Sequence, residues 1–506
     1  MNKSKKNTST PLTVIDFFCG AGWFSEWFRQ QGFTIIKGID YWQPAIETHN
    51  LNHNLSDSTK NVLDFWGCDS SDIAEISELE DSSIIIGSPS CVSFSSSNKS
   101  WKAEKSMWIR LIESYLRVIA VKKHQPNSKL ICWYMENVPN SKKYVREEYS
   151  FADLNLSDWA KKIGKQPSDL ALKVKSNGDI FNAADFWSPQ NRKRFIAWEL
   201  CSTGDFIKPK NIISKHITLQ EIKDKMPKPI LTKKDLENIK FIDPNYGDFF
   251  INSFELTDHF YDTGVYKIEW EKAEYLKTNH PYMGKMSFPE NEIKPSRTIM
   301  ATRSASTREA IIYKSENIRS WDGEYRLSTI REVATLMGFP YAYQFVWSEW
   351  TKWRQIGNAV CPHLSWALAS SVRRELGLSD IDIIDFESLR NNYKTVNNLN
   401  TFELKSFATP RKRNANARFR RHVIKRGNMT VDLLNYSVND SEEIGKNWYL
   451  NVFLWTGIDH KRIEIHAGHL ADLTNLLKDE LVELNNFIKN HLCHFHIKKG
   501  SRPEEN

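Results

Sequence analysis

Long apolar runs are missing from this chain of 506 residues, and no stretch approaches the roughly 20 consecutive apolar residues of a helical membrane span. A secretory leader is missing too, because Met1 to Pro11 is polar and lysine-bearing, with neither an apolar core nor a small-residue cleavage site. The expected protein is soluble and cytoplasmic. Cysteine is scarce: seven residues, at 19, 68, 91, 132, 201, 361 and 493, form an odd set without a CxxC pair. That excludes a disulfide framework and the common zinc spacings. His491 to His496 is rich in histidine but has no second cluster to complete a metal site, so no metal is expected. Neither sign of charge dominates. The 69 Lys and Arg against 62 Asp and Glu leave +7, a mild hint of a polyanionic partner.

The composition that remains, 40% hydrophobic and 26% charged, is that of an ordinary globular protein. The length exceeds one compact core, which implies two or three domains. Thr13–Phe18 reads as a strand, Gly20 and Gly22 break it, and Trp23–Gln31 follows with helical spacing before a second strand at Thr34–Asp40. Further strands read at Ser83–Gly87, Lys129–Val138 and Arg194–Leu200, with an amphipathic helix over Glu104–His124. This alternation predicts an α/β, doubly wound, mostly parallel sheet covered on both faces. Rhythm is lost from about Ser202 to Pro295. Helical spacing returns at Ser328–Met337 and at His363–Leu376, with Gly377 where a C-terminal cap belongs.

Chemistry-bearing residues collect at the predicted strand ends. The run Asp16-Phe-Phe-Cys-Gly-Ala-Gly22 ends a strand and opens a helix, where glycines let a cofactor approach the backbone. Asp40 ends the next strand, at the position of a ribose-binding acid in a doubly wound fold. Cys91 follows a third strand on the loop Gly87-Ser-Pro-Ser-Cys-Val-Ser-Phe-Ser95, Glu136 ends a fourth, and Arg192 and Arg194 lead into a fifth. A thiol, a carboxyl and arginines on one sheet edge form a set able to attack and protonate a heterocycle.

In order and spacing these segments resemble the DNA cytosine-5 methyltransferase family over roughly residues 12–376. Asp16–Gly22 is similar to its cofactor loop, Gly87–Ser95 to its nucleophile loop, Glu136-Asn-Val138 to its glutamate motif and Gln190-Asn-Arg-Lys-Arg194 to its glutamine-arginine motif. Arg326–Glu332 and Gln355–Val360 resemble its last two motifs. The chain departs from the pattern at Ser90 and Val92, where proline and glutamine are usual, and at Trp23, which replaces a glycine.

The resemblance implies a Rossmann-like sheet that binds S-adenosyl-L-methionine through Asp16, Phe18, Gly20, Gly22, Asp40, Tyr41, Asp64, Pro89, Asn358 and Ala359. It implies Cys91 as nucleophile, aided by Glu136, Arg192 and Arg194, acting on a cytosine flipped out of double-stranded DNA. Ser95, Ser96, Lys99 and Gln355 are expected on DNA. Arg411, Arg413 and Arg420 join them because Arg411–Arg426 holds eight Arg or Lys and no acid. The implied organisation is an N-terminal segment 1–11, a catalytic domain 12–204, an inserted target-recognition domain 205–295, a return 296–380, a basic linker 381–426 and a C-terminal domain 427–506. A prokaryotic or phage-borne, nucleoid-associated modification enzyme is expected, monomeric on DNA and partnered in its system by a cognate restriction endonuclease. Methylation of tRNA and a catalytically silent DNA-binding subunit fit the same motifs and stay open here.

Overall fold

The computed structural model describes residues 11–67, 73–90, 105–206, 208–209, 213, 215–229, 240–247, 249–255, 257–261, 267–279, 284–319, 323–379, 381, 418–426, 429–436, 448–456, 459–466 and 496–498. The chain divides into two compact units, 1–406 and 407–506.

In the first unit a six-stranded sheet is built from β1 (Thr13–Phe17), β2 (Thr34–Ile39), β3 (Ile84–Gly87), β4 (Cys132–Asn137), β5 (Gly178–Asn182) and β6 (Lys193–Leu200), in the order β2-β1-β3-β4-β6-β5. The four strands from β2 to β4 run parallel, as the strand-helix alternation predicts, whereas β6 is antiparallel to both β4 and β5. Every residue of β3 and β4 is buried, which explains their near-continuous apolar sequences.

Alternate residues feed opposite layers. Ile15, Phe17, Ile85, Trp133 and Met135 pack with helix α3 (Lys105–His124) through Ile112, Tyr115, Leu116 and Ile119. Val14, Ile84, Ile86, Cys132 and Tyr134 face the other way, against α1 (Trp23–Gln30) and α6 (Pro362–Glu375). A segment more than 300 residues downstream therefore closes the second face of the sheet on which the chain began. Gly377 follows α6 at φ 67, the left-handed conformation of a C-terminal cap.

A second core gathers Leu219, Tyr246, Ile251 and Phe260 around α4 (Ile330–Met337). Helix α4 begins with a complete capping box between Thr329 and Glu332 and ends at Gly338, φ 100. α5 (Glu349–Asn358) joins the same core through Trp353 and Ile356. Trp23, the departure from the glycine pattern, is one of its anchors: its ring lies 3.9 Å from Phe339 and 4.8 Å edge-on from Tyr343, and Trp27 stands beside it at 6.0 Å. The bulky residue that replaces glycine thus ties α1 to the 330–345 region.

The second unit contains a five-stranded antiparallel sheet in sequential order: β7 (Arg418–Arg426), β8 (Met429–Tyr436), β9 (Trp448–Thr456), β10 (Asp459–His466) and β11 (His496–Lys498). The end of the basic stretch expected as a linker is here an edge strand. Ladder hydrogen bonds come from the backbone, and Phe419, Val423 and Ile424 suit a strand whatever the charge of their neighbours.

Replacing Trp23 by Ala should cost about 3–5 kcal/mol, as for other buried large-to-small aromatic changes. A thermal melt followed by tryptophan fluorescence would show it as a lowered midpoint, and an unchanged midpoint would deny Trp23 its anchoring role.

Candidate active site

The parallel register places Phe17, Ile39, Gly87 and Met135 level with one another at the carboxyl ends of their strands. The chain leaves β1 for β2 on one side and returns to β3 on the other, so the crevice between the β1 and β3 loops is the topological switch point of the sheet. The loop after β1 lies in this crevice. Phe18 (φ 53), Gly20 (φ 54) and Gly22 (φ 83) all adopt left-handed backbone, a strained state for a residue as bulky as Phe18. A Cβ at Gly20 would enter open space with only the Phe18 carbonyl nearby at 3.9 Å, whereas one at Gly22 would strike His53 and His49 at 2.6–2.8 Å. The half-buried Phe18 ring stands edge-on to Tyr115, 6.2 Å away.

Asp40 closes the loop from the next strand. Its two oxygens accept the Gly20 amide at 3.0 Å and the Trp42 amide at 2.9 Å. Each keeps a further lone pair, so the carboxylate can still take a diol. Burial raises the Asp40 carboxyl, opposed by those amides and by the charge of Arg354. The Arg354 guanidinium sits 4.6 Å over the Trp42 ring, a contact that nothing in the sequence pattern marks. A glycine cradle and an acid with spare acceptors fit the nucleoside end of a cofactor.

Glu136 comes from β4 and is buried at 4% exposure. Its Oε2 accepts the Ser88 hydroxyl at 2.6 Å, and the Nε of Arg194 lies 2.7 Å from its Oε1. Arg194 reaches it because β6 runs antiparallel, which brings the start of that strand to the carboxyl end of β4. Asn137 then donates to the Pro89 carbonyl at 2.9 Å and fixes the base of the loop that carries residue 91. Ser88 stood inside the nucleophile motif without a role; the structure gives it one.

Several expected site residues sit elsewhere. Arg192 is 2% exposed, and its guanidinium donates to the carbonyls of Ile299 (3.1 Å), Gly357 (3.0 Å) and Ala359 (2.8 Å). It is a clamp between chain segments, since one guanidinium bonds buried carbonyls from two distant stretches of chain. Gln355, expected on DNA, is also 2% exposed: it accepts from Thr48 (2.9 Å) and donates to Pro44 (3.0 Å), which joins α5 to helix α2 (Gln43–His53). Asp64 and Asn358 are exposed, Tyr41 is 64% exposed, and Ala359 and Pro89 are buried. Cys91, Ser95, Ser96, Lys99, Arg411 and Arg413 lie outside the described residues, and Arg420 stands in β7.

Asp16 does not open into the crevice. It is buried beneath the loop and accepts from Ser25 Oγ at 2.7 Å, which in turn lies 3.1 Å from His49 Nε2. His53 continues this core, with its ring 4.6 Å from His49 and its Nε2 2.9 Å from the Gly22 carbonyl. Burial pushes the Asp16 carboxyl up to about 8 and the His49 ring well below its usual range, so the chain of groups under the loop is largely uncharged at neutral pH. Sequence reasoning missed Ser25 and His49. Their only signal was helical spacing that puts them on the covered faces of α1 and α2.

The model of the C-5 cytosine-specific DNA methylase family matches residues 12–374. A protein of Methanocaldococcus jannaschii named as type II methyltransferase M.MJ0563P is 26% identical over 380 residues, covering 72% of this chain and 100% of its own length. Type II methyltransferase M.XorII of Xanthomonas oryzae is 24% identical over 383 residues, covering 72% of this chain and 84% of that protein. Among solved structures, an Escherichia coli prophage-encoded protein described as a DNA modification methyltransferase matches at 20% identity with a TM-score of 0.46, over 72% of this chain and 99% of that one.

Because the folded carboxyl of Asp16 titrates near 8 and the unfolded one near 4, the folded state holds a proton that the unfolded state has lost between those values. The stability contributed by neutral Asp16 is complete below about pH 4, declines as pH rises to about 8 and is then flat. Asp16→Asn should flatten that decline. Denaturant midpoints of both proteins at pH 5, 6, 7 and 8 would check it; parallel pH profiles would reject the assignment.

Proposed function

Because the chain belongs to the C-5 cytosine-specific DNA methylase family, an S-adenosylmethionine-dependent methyltransferase fold acting on DNA, we propose that it methylates carbon 5 of cytosine at a specific duplex sequence through Cys91. The observation that carries this reading is the carboxyl-edge cluster of Glu136, Ser88 and Arg194, at the base of the loop that leads to Cys91.

Carbon 5 of cytosine is a weak nucleophile until something adds at carbon 6. In the proposed mechanism the Cys91 thiolate forms a bond to C6, and the displaced electron pair moves through the ring toward N3. Glu136 meets that change by holding or protonating N3, with Arg194 and Ser88 keeping its carboxyl in place. S-adenosyl-L-methionine, when bound, supplies an electrophilic methyl group to C5. Phe18, the Gly20–Gly22 cradle and Asp40 would hold its nucleoside, with Tyr41, Asp64, Pro89, Asn358 and Ala359 as further wall residues. Water then takes the C5 proton, the sulfur–C6 bond breaks as the C5–C6 double bond re-forms, Cys91 leaves as thiolate, and any proton placed on N3 returns to Glu136.

A stacked base cannot reach such a site, so the cytosine must rotate out of the duplex at a cost of a few kcal/mol. We assign the segment 205–295 to recognition of the target sequence, since the sheet ends before it and resumes its cover after it. The type II names of the relatives support a modification role beside a restriction endonuclease. Among the described residues no helix is long and apolar enough to cross a membrane.

The direct test follows labelled methyl from S-adenosylmethionine into mixed-sequence duplex DNA and, in parallel, tRNA. The expected result is 5-methylcytosine in DNA, abolished by Cys91→Ala and slowed about 10²–10⁴-fold in kcat by Glu136→Gln. Label confined to tRNA, or transfer that survives Cys91→Ala, would overturn the proposal.

A further inference from the structure

The unit 407–506 lies beyond the residues that the family model matches, so the methyl-transfer apparatus leaves it without a role. Its register assigns the residues of the five strands to two faces, because directly paired residues of antiparallel strands share a face. Met429, Val431 and Leu433 pair with Leu454, Val452 and Leu450, and the last two of these pair with Ile463 and Ile465. Ile497 extends the set, and Phe419 and Ile424 begin it. This face is mainly apolar, with Arg421 and Arg426 on the edge strand and Asp459 and Lys461 toward one end, and its apolar centre is what a sheet must cover.

The other face is different in kind. Its central strand, β9, carries Tyr449, Phe453 and Trp455. On one side of them Arg418, Arg420 and Lys425 stand at register positions of the edge strand β7, opposite Tyr436, Leu434 and Thr430. The bulge between Arg421 and Ile424 shifts the alternation by one residue, which brings Lys425 onto the face of Arg418 and Arg420. On the other side Arg462 pairs with Phe453 and with Lys498 of the far edge. Asp432 and Glu464 are the acids among the described residues of that face. A face so rich in Arg and Lys does not suit a dry core, since these residues are almost never fully buried without partners.

We propose that this face is a platform for single-stranded nucleic acid, with unpaired bases stacked on the β9 aromatics and the phosphates drawn to the basic rows at both edges. Aromatic rings interleaved with cations on a sheet match bases whose flat faces are free. A duplex hides those faces and would use the cations alone.

Full-length protein titrated into a fluorescent oligothymidylate of about 20 nucleotides, followed by anisotropy at several salt concentrations, tests this. The probe lacks cytosine and the readout needs no methyl transfer, so the result is independent of the catalytic proposal. The expected result is salt-sensitive binding. Changing Arg418, Arg420 and Lys425 together to Ala should lower the log–log salt slope by about 2, at roughly 0.7 per phosphate contact. Phe453→Leu, which keeps apolar volume and loses the ring, should weaken binding about ten-fold while methylation of duplex DNA keeps its kcat. The proposal is overturned if the wild type does not bind the probe, if both variants bind as the wild type does, or if a duplex of equal length binds more tightly with the same sensitivities.

Discussion

One buried guanidinium holds the catalytic unit together. Arg192 stands just ahead of β6 and donates to carbonyls at 299, 357 and 359, three points the chain reaches only after long detours. Each of those carbonyls is inside the protein, and a buried acceptor without a donor costs about 1–3 kcal/mol. Two residues on, Arg194 turns the same kind of group toward Glu136. The short run from 192 to 194 thus carries the seam of the fold and the electrostatics of the crevice side by side.

That pairing marks the boundary of what the sequence makes legible. Strands that end in Phe17, Gly87 and Asn137, the glycine loop and the carboxyl at 136 follow from local patterns, since each depends on a few neighbouring residues. The division of labour between Arg192 and Arg194 does not, because motif spacing treats the two alike and only the partners across space separate them. The place of Gln355 was hidden for the same reason: α2 covers it, and covering is not a local property. Asp16 looked like a ligand to a cofactor and is instead the buried root of a hydrogen-bonded pair with Ser25, next to His49. The basic stretch before Met429 reads as solvated by composition, yet its backbone completes a ladder.

The glycine loop owes its shape to what lies on both sides of it. Asp40 pulls the Gly20 amide from one side, and the His49–His53 pair fills the space below Gly22 from the other. Trp23 then carries the helix that starts there into the second core, with the Tyr343 hydroxyl bonded to the Ala21 carbonyl. A loop that must keep left-handed backbone at three alternate positions is over-determined by its surroundings, as a strained segment has to be.

The bridge between Gln190 and Ser296 gives the fold an unusual freedom. Ser296 exchanges backbone hydrogen bonds at 2.8 Å with Pro189 and Asn191, and Ile299 returns to the Gln190 side chain at 3.2 Å, so the returning chain is fastened to the catalytic body just ahead of β6. Closing a loop costs entropy that grows only with the logarithm of its length, about 0.6 kcal/mol for each doubling. The stretch between the end of β6 at Leu200 and Ser296 can therefore lengthen or shorten at little entropic cost to the sheet, provided that Leu219, Tyr246, Ile251 and Phe260 go on filling the second core. On the assignment of 205–295 to target recognition, a lineage of such enzymes could change its target by exchanging that stretch while Glu136 and Arg194 stay where they are.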